Sequence, residues 1–454
     1  VKAKSKLAQS YNKEMTIKTT KMKLAGEIFV PGDKSVSHRA LMFAVFSQGK
    51  SRVTGLSPAQ DCQSTMECLR QSGLDFSLET TVNTGSTHAQ PVTIIHSPGL
   101  AGLKSSGKLM DAGNSGTTIR LLSGVCAGLP FESRFDGDES LRKRPMARVL
   151  QPLAEMGAKF RYEKEEGKPP FIIAGGNLQG RDFVLKVASA QVETALLLAG
   201  LQASGRTSVQ LPHIARDHTQ RMFQYLGLPF ERDAQGKTTV AQLIDPIAPY
   251  ELTVPGDISS AAFFMVAASC LEGSNILLKN VGFNPGRTLI FDVLKEMQAD
   301  VSLENVREQC GEPVADIRVK GVKRLKGATI SGEKIASGVD EIPILALAGS
   351  LCDGQLKVTD ALELRHKESD RLALIAQNIA AIGGLIQEFD DGFIITGQEQ
   401  LKGGGHWQTK LDHRLAMSGL VAQALCKSPP EIEEIASAGI SYPQFKQDFD
   451  KLVT

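Results

Sequence analysis

The 454-residue chain lacks most of the marks of metal, disulfide, membrane or nucleic-acid chemistry. Its seven cysteines (Cys62, Cys68, Cys126, Cys270, Cys310, Cys352 and Cys426) include no Cys-x-x-Cys pair, and its histidines include no His-Glu-x-x-His. That usage argues against a zinc site or a disulfide framework and fits thiols kept reduced. The longest apolar run, residues 261–271, is far too short to span a bilayer. A net charge of +1 with one Trp and five Tyr leaves neither the basic face nor the stacking platforms of a nucleic-acid binder. The opening stretch, VKAKSKLAQSYNKEMTIKTT, has neither the apolar core of a secretory signal nor the arginine bias of a transit peptide. Residues 1–20 therefore read as a disordered tail, and the missing signals point to a cytoplasmic protein.

What is present is repetition. A loop rich in Gly, Ser or Asp leads six times into an apolar, alanine-rich stretch of about three turns. The copies are PGDKSVSHRALMFAVFSQG from Pro31, DAGNSGTTIRLLSGVCAG from Asp111 and SAQVETALLLAGLQASG from Ser189. They continue as PGDISSAAFFMVAASCLEG from Pro255, DEIPILALAGSLCDG from Asp340 and DHRLAMSGLVAQALCK from Asp412. Most copies are followed by a β-type run such as SNILLKN or GQLKVTD, then by a second helical stretch such as SDRLALIAQNIAAIG. The length exceeds one ordinary core. The two Pro-Gly-Asp copies therefore open two sets of three, with crossovers near Gly32 and Pro255. The expected fold is α/β with two similar domains, each of three helix–strand units. Its boundaries are 33–253 for one domain and 21–32 with 254–454 for the other. Helices that are apolar nearly all round belong inside each domain with the sheets outside, an inside-out α/β barrel.

The polar ends of these helices carry the candidate chemistry, because a helix N-terminus offers unpaired N–H groups and a positive dipole end. Lys34, Ser35 and Arg39 crowd the first helix start, where cations oppose the dipole unless an anion joins them. A solvated basic terminus is the alternative. Asn114, Gly116 and Thr117 belong to a glycine-rich turn that backbone or ligand can approach closely. Arg120 follows it. Arg142, Lys143 and Arg144 precede Pro145, which suits position N1 of a helix; as a charge run they equally suit a surface. Ser189 and Gln191 are uncharged donors. Arg216 precedes a further helix, with His213 and His218 read as structural. Asp340 and Glu341 start an apolar helix, as caps would. Lys367, Glu368 and Arg371 open another, with three- and four-residue spacings that a surface ion network also explains. His413 and Arg414 begin the last copy. Cations drawn from both halves would line a cleft able to hold two anions, with no metal or cofactor.

The stretches PGDKSVSHRA, GNSGTTIRL, KRPM, SAQ, RDHT, DEIP, KESDRL and DHRLAM, in that order from residue 31 to 417, resemble the 5-enolpyruvylshikimate-3-phosphate synthase family. The resemblance covers essentially the whole chain after the tail. It implies two domains with internal helices that close around the substrates, and transfer of the enolpyruvyl group of phosphoenolpyruvate to shikimate 3-phosphate without a cofactor. It also implies that Ser35, Arg39, Ser189, Gln191, Arg216, Asp340 and Lys367 hold shikimate 3-phosphate. By the same token Lys34, Asn114, Gly116, Thr117, Arg144, Gln191, Arg371, His413 and Arg414 surround phosphoenolpyruvate. Asp340 would act as base and Glu368 as acid, with Lys34 sharing a proton transfer.

Three departures bear on the contacts. Ala190 stands where many members have a second serine. The segment Ile440-Ser441-Tyr442-Pro443 lacks a lysine that some members place against phosphoenolpyruvate. An arrangement with Arg216 replaces a serine–tyrosine pair. Gly116 leaves open the space through which some members exclude glyphosate, so inhibition competitive with phosphoenolpyruvate is expected. The alternatives are an enolpyruvyl transferase acting on UDP-N-acetylglucosamine, which relies on a reactive cysteine, and a non-catalytic binder of anionic metabolites. A monomer is expected.

Overall fold

A helix without a polar stripe must be wrapped on every side, and that requirement organises the molecule. The computed structural model describes residues 22–79, 90–213 and 216–454. The tail expected over 1–20 lies outside these residues. Helix Ile258–Cys270 is buried from Ile258 through Ser269, and helix Ile342–Ser350 is buried throughout. Helices Gly116–Ala127, Ala190–Gly200 and His413–Leu425 are buried over most of their length. Helices of this kind pack on one another in the centre, and sheets cover them. Among the described residues no helix is long and apolar enough to cross a membrane.

Four of these buried helices each lie between two strands that pair in parallel. Leu109–Asp111 with Glu132–Asp136 and Asp182–Val184 with Arg206–Gln210 flank helices in the first half. Lys326–Ile330 with Asp353–Val358 and Leu401–Gly403 with Cys426–Ser428 do so in the second. Antiparallel strands extend most pairs into four-stranded sheets. The last unit has only two short two-stranded ladders. There helix His413–Leu425 runs straight into strand Cys426–Ser428, because Cys426 and Lys427 replace the glycine that ends the other copies.

In the remaining two parallel pairs, the strand before a helix pairs not with the strand after it but with the one that follows the helix at the other crossing. Strand Ala25–Phe29 pairs with Asn275–Gly282, while Glu251–Thr253 pairs with Gln48–Thr54. The chain thus crosses twice between two hydrophobic clusters. One gathers residues between 24 and 30 with those from 258 to 452; the other gathers residues from 36 to 254 with Cys310. At the crossing the identical tripeptides Pro31-Gly32-Asp33 and Pro255-Gly256-Asp257 run side by side. Asp33 N–H donates to the Pro255 carbonyl at 2.8 Å, and Asp257 N–H donates to the Pro31 carbonyl at 2.8 Å. Each aspartate then caps a helix: Asp33 Oδ1 accepts from Val36 N–H and Asp257 Oδ1 from Ser259 N–H, both at 3.0 Å.

Two local expectations need correction. Pro145 does not sit at N1. A 3₁₀ turn, Leu141–Lys143, precedes it, and helix Ala147–Glu155 starts after Met146, whose N–H donates to the Gly167 carbonyl at 2.7 Å. Lys367 and Glu368 do not share a helix face with Arg371, because helix Arg371–Ala381 begins after its cap Asp370 and Lys367 is extended.

Gly32 is required by proximity, since a Cβ there would lie 2.0 Å from the Gly55 carbonyl oxygen. Gly32→Ala should cost about 1–3 kcal/mol through forced backbone movement. Gly439→Ala, where a methyl would meet nothing within 4 Å, should stay within about 0.5 kcal/mol of wild type. Thermal unfolding followed by circular dichroism compares the two, and matching midpoints would mean that the crossing tolerates a side chain.

Candidate active site

The buried helices point their N-terminal ends at one place. There a cavity of about 320 Å³ opens between the halves, and every residue that the resemblance assigned to a substrate lines it, whereas Arg142, Lys143 and Glu341 do not. Ten lysines and arginines line it against five carboxylates, an excess of positive charge that bound anions would balance.

On the first-half wall, Lys34 starts helix Lys34–Phe43 and its Nζ lies 3.3 Å from Asp61 Oδ2. Burial pulls the Lys34 ammonium down, but Asp61 together with Asp257 and Glu368 outweighs it and the group stays above its ordinary value. Arg39 is buried and locked by neutral acceptors. Its Nε donates to Thr219 Oγ1 at 2.8 Å, and its Nη2 donates to Thr194 Oγ1 at 3.0 Å. Burial, only partly offset by Asp33, Glu312 and Glu193, pushes Arg39 down to about 10. Ser189 caps helix Ala190–Gly200 by accepting from Val192 N–H. Gln191 donates to Thr117 Oγ1 at 2.9 Å and accepts from Arg120 Nη1 at 3.0 Å. Asn114 accepts from Arg144 Nη2 at 3.1 Å. Gly116 is where two guanidinium groups converge: a Cβ there would lie 2.5 Å from Arg120 Nη1 and 3.3 Å from Arg144 Nη1.

Arg371 organises the second-half wall. Only 1% of its side chain is exposed, so the cluster around it is no surface network. Its Nε donates to Asp412 Oδ2 at 2.8 Å, Nη1 to Asp340 Oδ1 at 3.0 Å and Nη2 to Glu368 Oε2 at 2.7 Å. One guanidinium therefore aims two cavity carboxylates while anchored on a third, the cap of helix His413–Leu425. Arg414 Nη1 donates to the Ser259 carbonyl at 3.3 Å. Lys367 Nζ lies 2.7 Å from Glu363 and 3.8 Å from Asp340.

Between residues lining the cavity, two ion pairs span the halves: Arg144 to Glu368 at 3.3 Å and Arg216 to Asp340 at 3.7 Å. Burial works to raise the Asp340 carboxyl, but Lys367, Arg414, Arg371 and Arg216 together hold it well below the usual range. Glu368 is likewise penalised by burial, yet Arg371 and Arg144 hold it strongly down. Both are carboxylates in this state. His413 is pushed down to about 4, first by burial and then by Lys34, so its ring is neutral near pH 7.

Several cavity residues escaped the sequence reading. Asp61 comes from helix Gln60–Gln71, which looked like an ordinary outer helix. His38 lies one turn beyond Lys34, and its Nδ1 is 2.8 Å from Thr65 Oγ1. Arg287 lies beyond a β-type run and belongs to no repeat start. Arg120 was named after the glycine-rich turn but was given no role there. Its spacing of four from Gly116 was the available signal. Tyr442, in the segment that lacks a lysine, is buried and donates to Asp448 at 2.9 Å, away from the cavity lining.

Comparison with known proteins places this geometry. A family model described as EPSP synthase (3-phosphoshikimate 1-carboxyvinyltransferase) matches residues 18–449. A 3-phosphoshikimate 1-carboxyvinyltransferase from Bacillus cereus is 42% identical over 440 residues, covering 97% of this chain and 99% of that protein. One from Desulfitobacterium hafniense is 43% identical, covering 93% and 94%. The solved structure of EPSP synthase from Acinetobacter baumannii superposes with a TM-score of 0.84 at 38% identity, covering 96% of this chain and 98% of that one.

The buried titratable groups set a pH signature. His38 and His413, both pushed to about 4 chiefly by burial, take up protons in the unfolded chain near 6.5 but not in the folded one. Stability is therefore lost as pH falls from 6.5 towards 4. Glu193, pushed up to about 7 by burial, acts in the opposite sense, binding its proton in the folded state over much of that range. Glu193→Gln should remove the opposition and steepen the loss by up to about 1.4 kcal/mol per pH unit. Urea unfolding between pH 4.5 and 7 measures the slope; an unchanged slope would mean that Glu193 is ionised in the folded protein.

Proposed function

The chain belongs to the EPSP synthase (3-phosphoshikimate 1-carboxyvinyltransferase) family, and on that premise we propose the role of each cavity residue. The reaction of the family is transfer of the enolpyruvyl group of phosphoenolpyruvate to the 5-hydroxyl of shikimate 3-phosphate. It releases phosphate by addition and elimination through a tetrahedral adduct. The observation that carries the assignment of roles is Arg371, which aims Asp340 and Glu368 into a cavity otherwise dominated by cations.

Each substrate carries a carboxylate and a phosphate, about 2.5 to 3 negative charges near neutral pH. Ser35, Arg39, Ser189, Gln191, Arg216 and Lys367 receive shikimate 3-phosphate; Lys34, Asn114, Gly116, Thr117, Gln191, Arg144, Arg371, His413 and Arg414 surround phosphoenolpyruvate. The addition needs a base at the ring hydroxyl and an acid at the methylene carbon. Asp340 is the base. In the ligand-free state its cations make it a weak one. As the substrate's anionic groups neutralise Lys367 and Arg216, its basicity rises. Glu368 is the acid and must first gain a proton. An incoming phosphate that draws Arg144 away from Glu368 removes one of the cations that hold it ionised. Lys34, kept charged by Asp61, can replenish that proton. The arginines, already oriented, stabilise the charge of the adduct.

This reading needs no thiol. Burial pushes Cys126 up to about 12, and Cys62, beside Lys34, is raised by burial and by Asp61. Neither suits the nucleophile on which the UDP-N-acetylglucosamine alternative depends. We further propose a cytoplasmic monomer whose two domains, 33–253 and 21–32 with 254–454, close on the substrates; the cross-half pairs of Arg144 and Arg216 support closure.

Phosphate release should require both shikimate 3-phosphate and phosphoenolpyruvate, and UDP-N-acetylglucosamine should not replace the acceptor. Glu368→Gln and Asp340→Asn should each lower kcat by about 10²–10⁴-fold with the fold intact by circular dichroism. A variant retaining full kcat would remove that residue from the proton transfers.

Glyphosate should inhibit competitively with phosphoenolpyruvate. Gly116→Ala crowds Arg120 and Arg144, so it should raise the glyphosate inhibition constant more than the KM for phosphoenolpyruvate. Inhibition that phosphoenolpyruvate does not relieve would place glyphosate elsewhere.

A further inference from the structure

Behind the cavity, between the two crossing passages, lies a buried polar cluster to which the proton transfers assign nothing. At its centre is Arg287, the last residue of the short turn Pro285–Arg287, 4% exposed and part of the cavity's back wall. Its Nη1 donates to Asp33 Oδ2 at 2.6 Å, and its Nη2 donates to Asp257 Oδ1 at 3.2 Å and to the Ser259 hydroxyl. From Ser259 the contacts continue forward. Its hydroxyl donates to the Glu341 carboxylate, which lies 3.6 Å from Arg414 Nη1. On the other side, Asp33 caps the helix that carries Lys34, Ser35 and Arg39.

Helix capping alone does not call for this arrangement. A neutral Ser or Asn caps a helix about as well as Asp, without setting two buried carboxylates near each other. The crossing strands already exchange two backbone hydrogen bonds. What the guanidinium adds is direction. Its planar fork fixes the angle between Asp33 and the start of helix Ile258–Cys270, as a point charge would not.

We propose that Arg287 is a positioning residue that couples the two substrate subsites. It holds Asp33 on one side and Asp257 with Ser259 on the other. An anion seated on Ser35 and Arg39 thereby sets the placement of Glu341 and Arg414, and an anion seated on Arg414 sets that of the first helix start. The inference rests on the assignment of those residues to two different substrates. Coupling of this kind is reciprocal, so each anion tightens the other by the same factor.

Calorimetry tests it, with shikimate 3-phosphate and phospholactate, the saturated analogue of phosphoenolpyruvate that cannot undergo the addition. In the wild type each ligand should tighten the other by about tenfold or more. In Arg287→Gln that factor should fall to about threefold or less, while the affinity for shikimate 3-phosphate alone changes by less than about threefold. Arg287→Lys, which keeps the charge and loses the fork, should behave more like the glutamine variant than the wild type. Ser259→Ala cuts the link to Glu341 and leaves both aspartates paired with Arg287; it should lose at least about half of the coupling on a logarithmic scale. If Arg287→Gln does not fold, Ser259→Ala decides the matter.

Full coupling in the folded variants would overturn the proposal. So would an equal loss of both single-ligand affinities with the coupling factor preserved, which is the mark of a merely structural role. Wild-type protein that binds no shikimate 3-phosphate would overturn the substrate assignment itself. Wild-type protein that binds both anions without mutual effect would overturn only the coupling.

Discussion

Everything in this molecule hangs on the exchange of two backbone passages at Pro31-Gly32-Asp33 and Pro255-Gly256-Asp257. Each passage leaves a strand in one domain's sheet and enters the first helix of the other domain, so the two domains are tied at both crossings. The passages pack closely because Gly32, against Gly55 and Val254, and Gly256, against Val30, have no side chains, and the aspartates that follow them cap the first helix of each half. Burial alone would push Asp33 up, but Arg287 and then His218 hold it down to about 2; Asp257, buried beside Asp33, is pushed up instead. Stripping one partner from such a buried set costs about 3–5 kcal/mol. The crossing therefore acts as a rigid register mark rather than a loose linker.

From that mark follows the electrostatics of the cavity. Cations at helix starts work against the dipole, and most globular proteins place them at the other end. Here Lys34, Arg371 and Arg414 all stand in first turns. Such an arrangement is strained by charge until anions enter, and the strain is directional. Asp340 and Glu368 stay ionised because the cations outnumber them. Each anion that binds takes cations away from those two carboxylates and raises their proton affinity. On the roles proposed for them, substrate binding and the readiness of the acid and the base form one event, governed by where Arg144, Arg216 and Lys367 turn.

Much of this was legible in the chain before any coordinates. The six apolar, alanine-rich segments declared buried helices because no stripe of polar residues broke them. The two Pro-Gly-Asp copies marked where the chain changes halves. The residues at the helix starts were found because each stood at the same place in a repeat. What stayed hidden had no such place. Asp61 sits on an outer helix that the repeat pattern treats as packing, and Arg287 follows a strand with nothing beside it in sequence to hint at Asp33, a contact between residues 254 positions apart. The surface network read into Lys367, Glu368 and Arg371 failed for a related reason. Spacing predicts which side chains share a helix face, but only the cap tells where the helix begins, and Asp370 begins it too late for that face to exist.

The inside-out layout gives the deepest reason why the site lies where it does. Had the helices lain outside a central sheet, each would have kept a polar stripe along its length, and cations could have gone anywhere on it. Helices buried on all sides have polar surface only at their ends. Their first turns then become the one region where charge can be placed without being sealed in apolar core, and the symmetry of three units per half brings several such turns together. Two halves arranged this way face each other across the crossing, each presenting a cluster of helix N-termini, with an estimated half-unit of positive charge at each before any side chain is counted. Lysines and arginines then add to a field that the backbone has already set up. A cleft with that field suits phosphate and carboxylate groups on both walls, and in the proposed closed form the anions themselves would hold the two walls together.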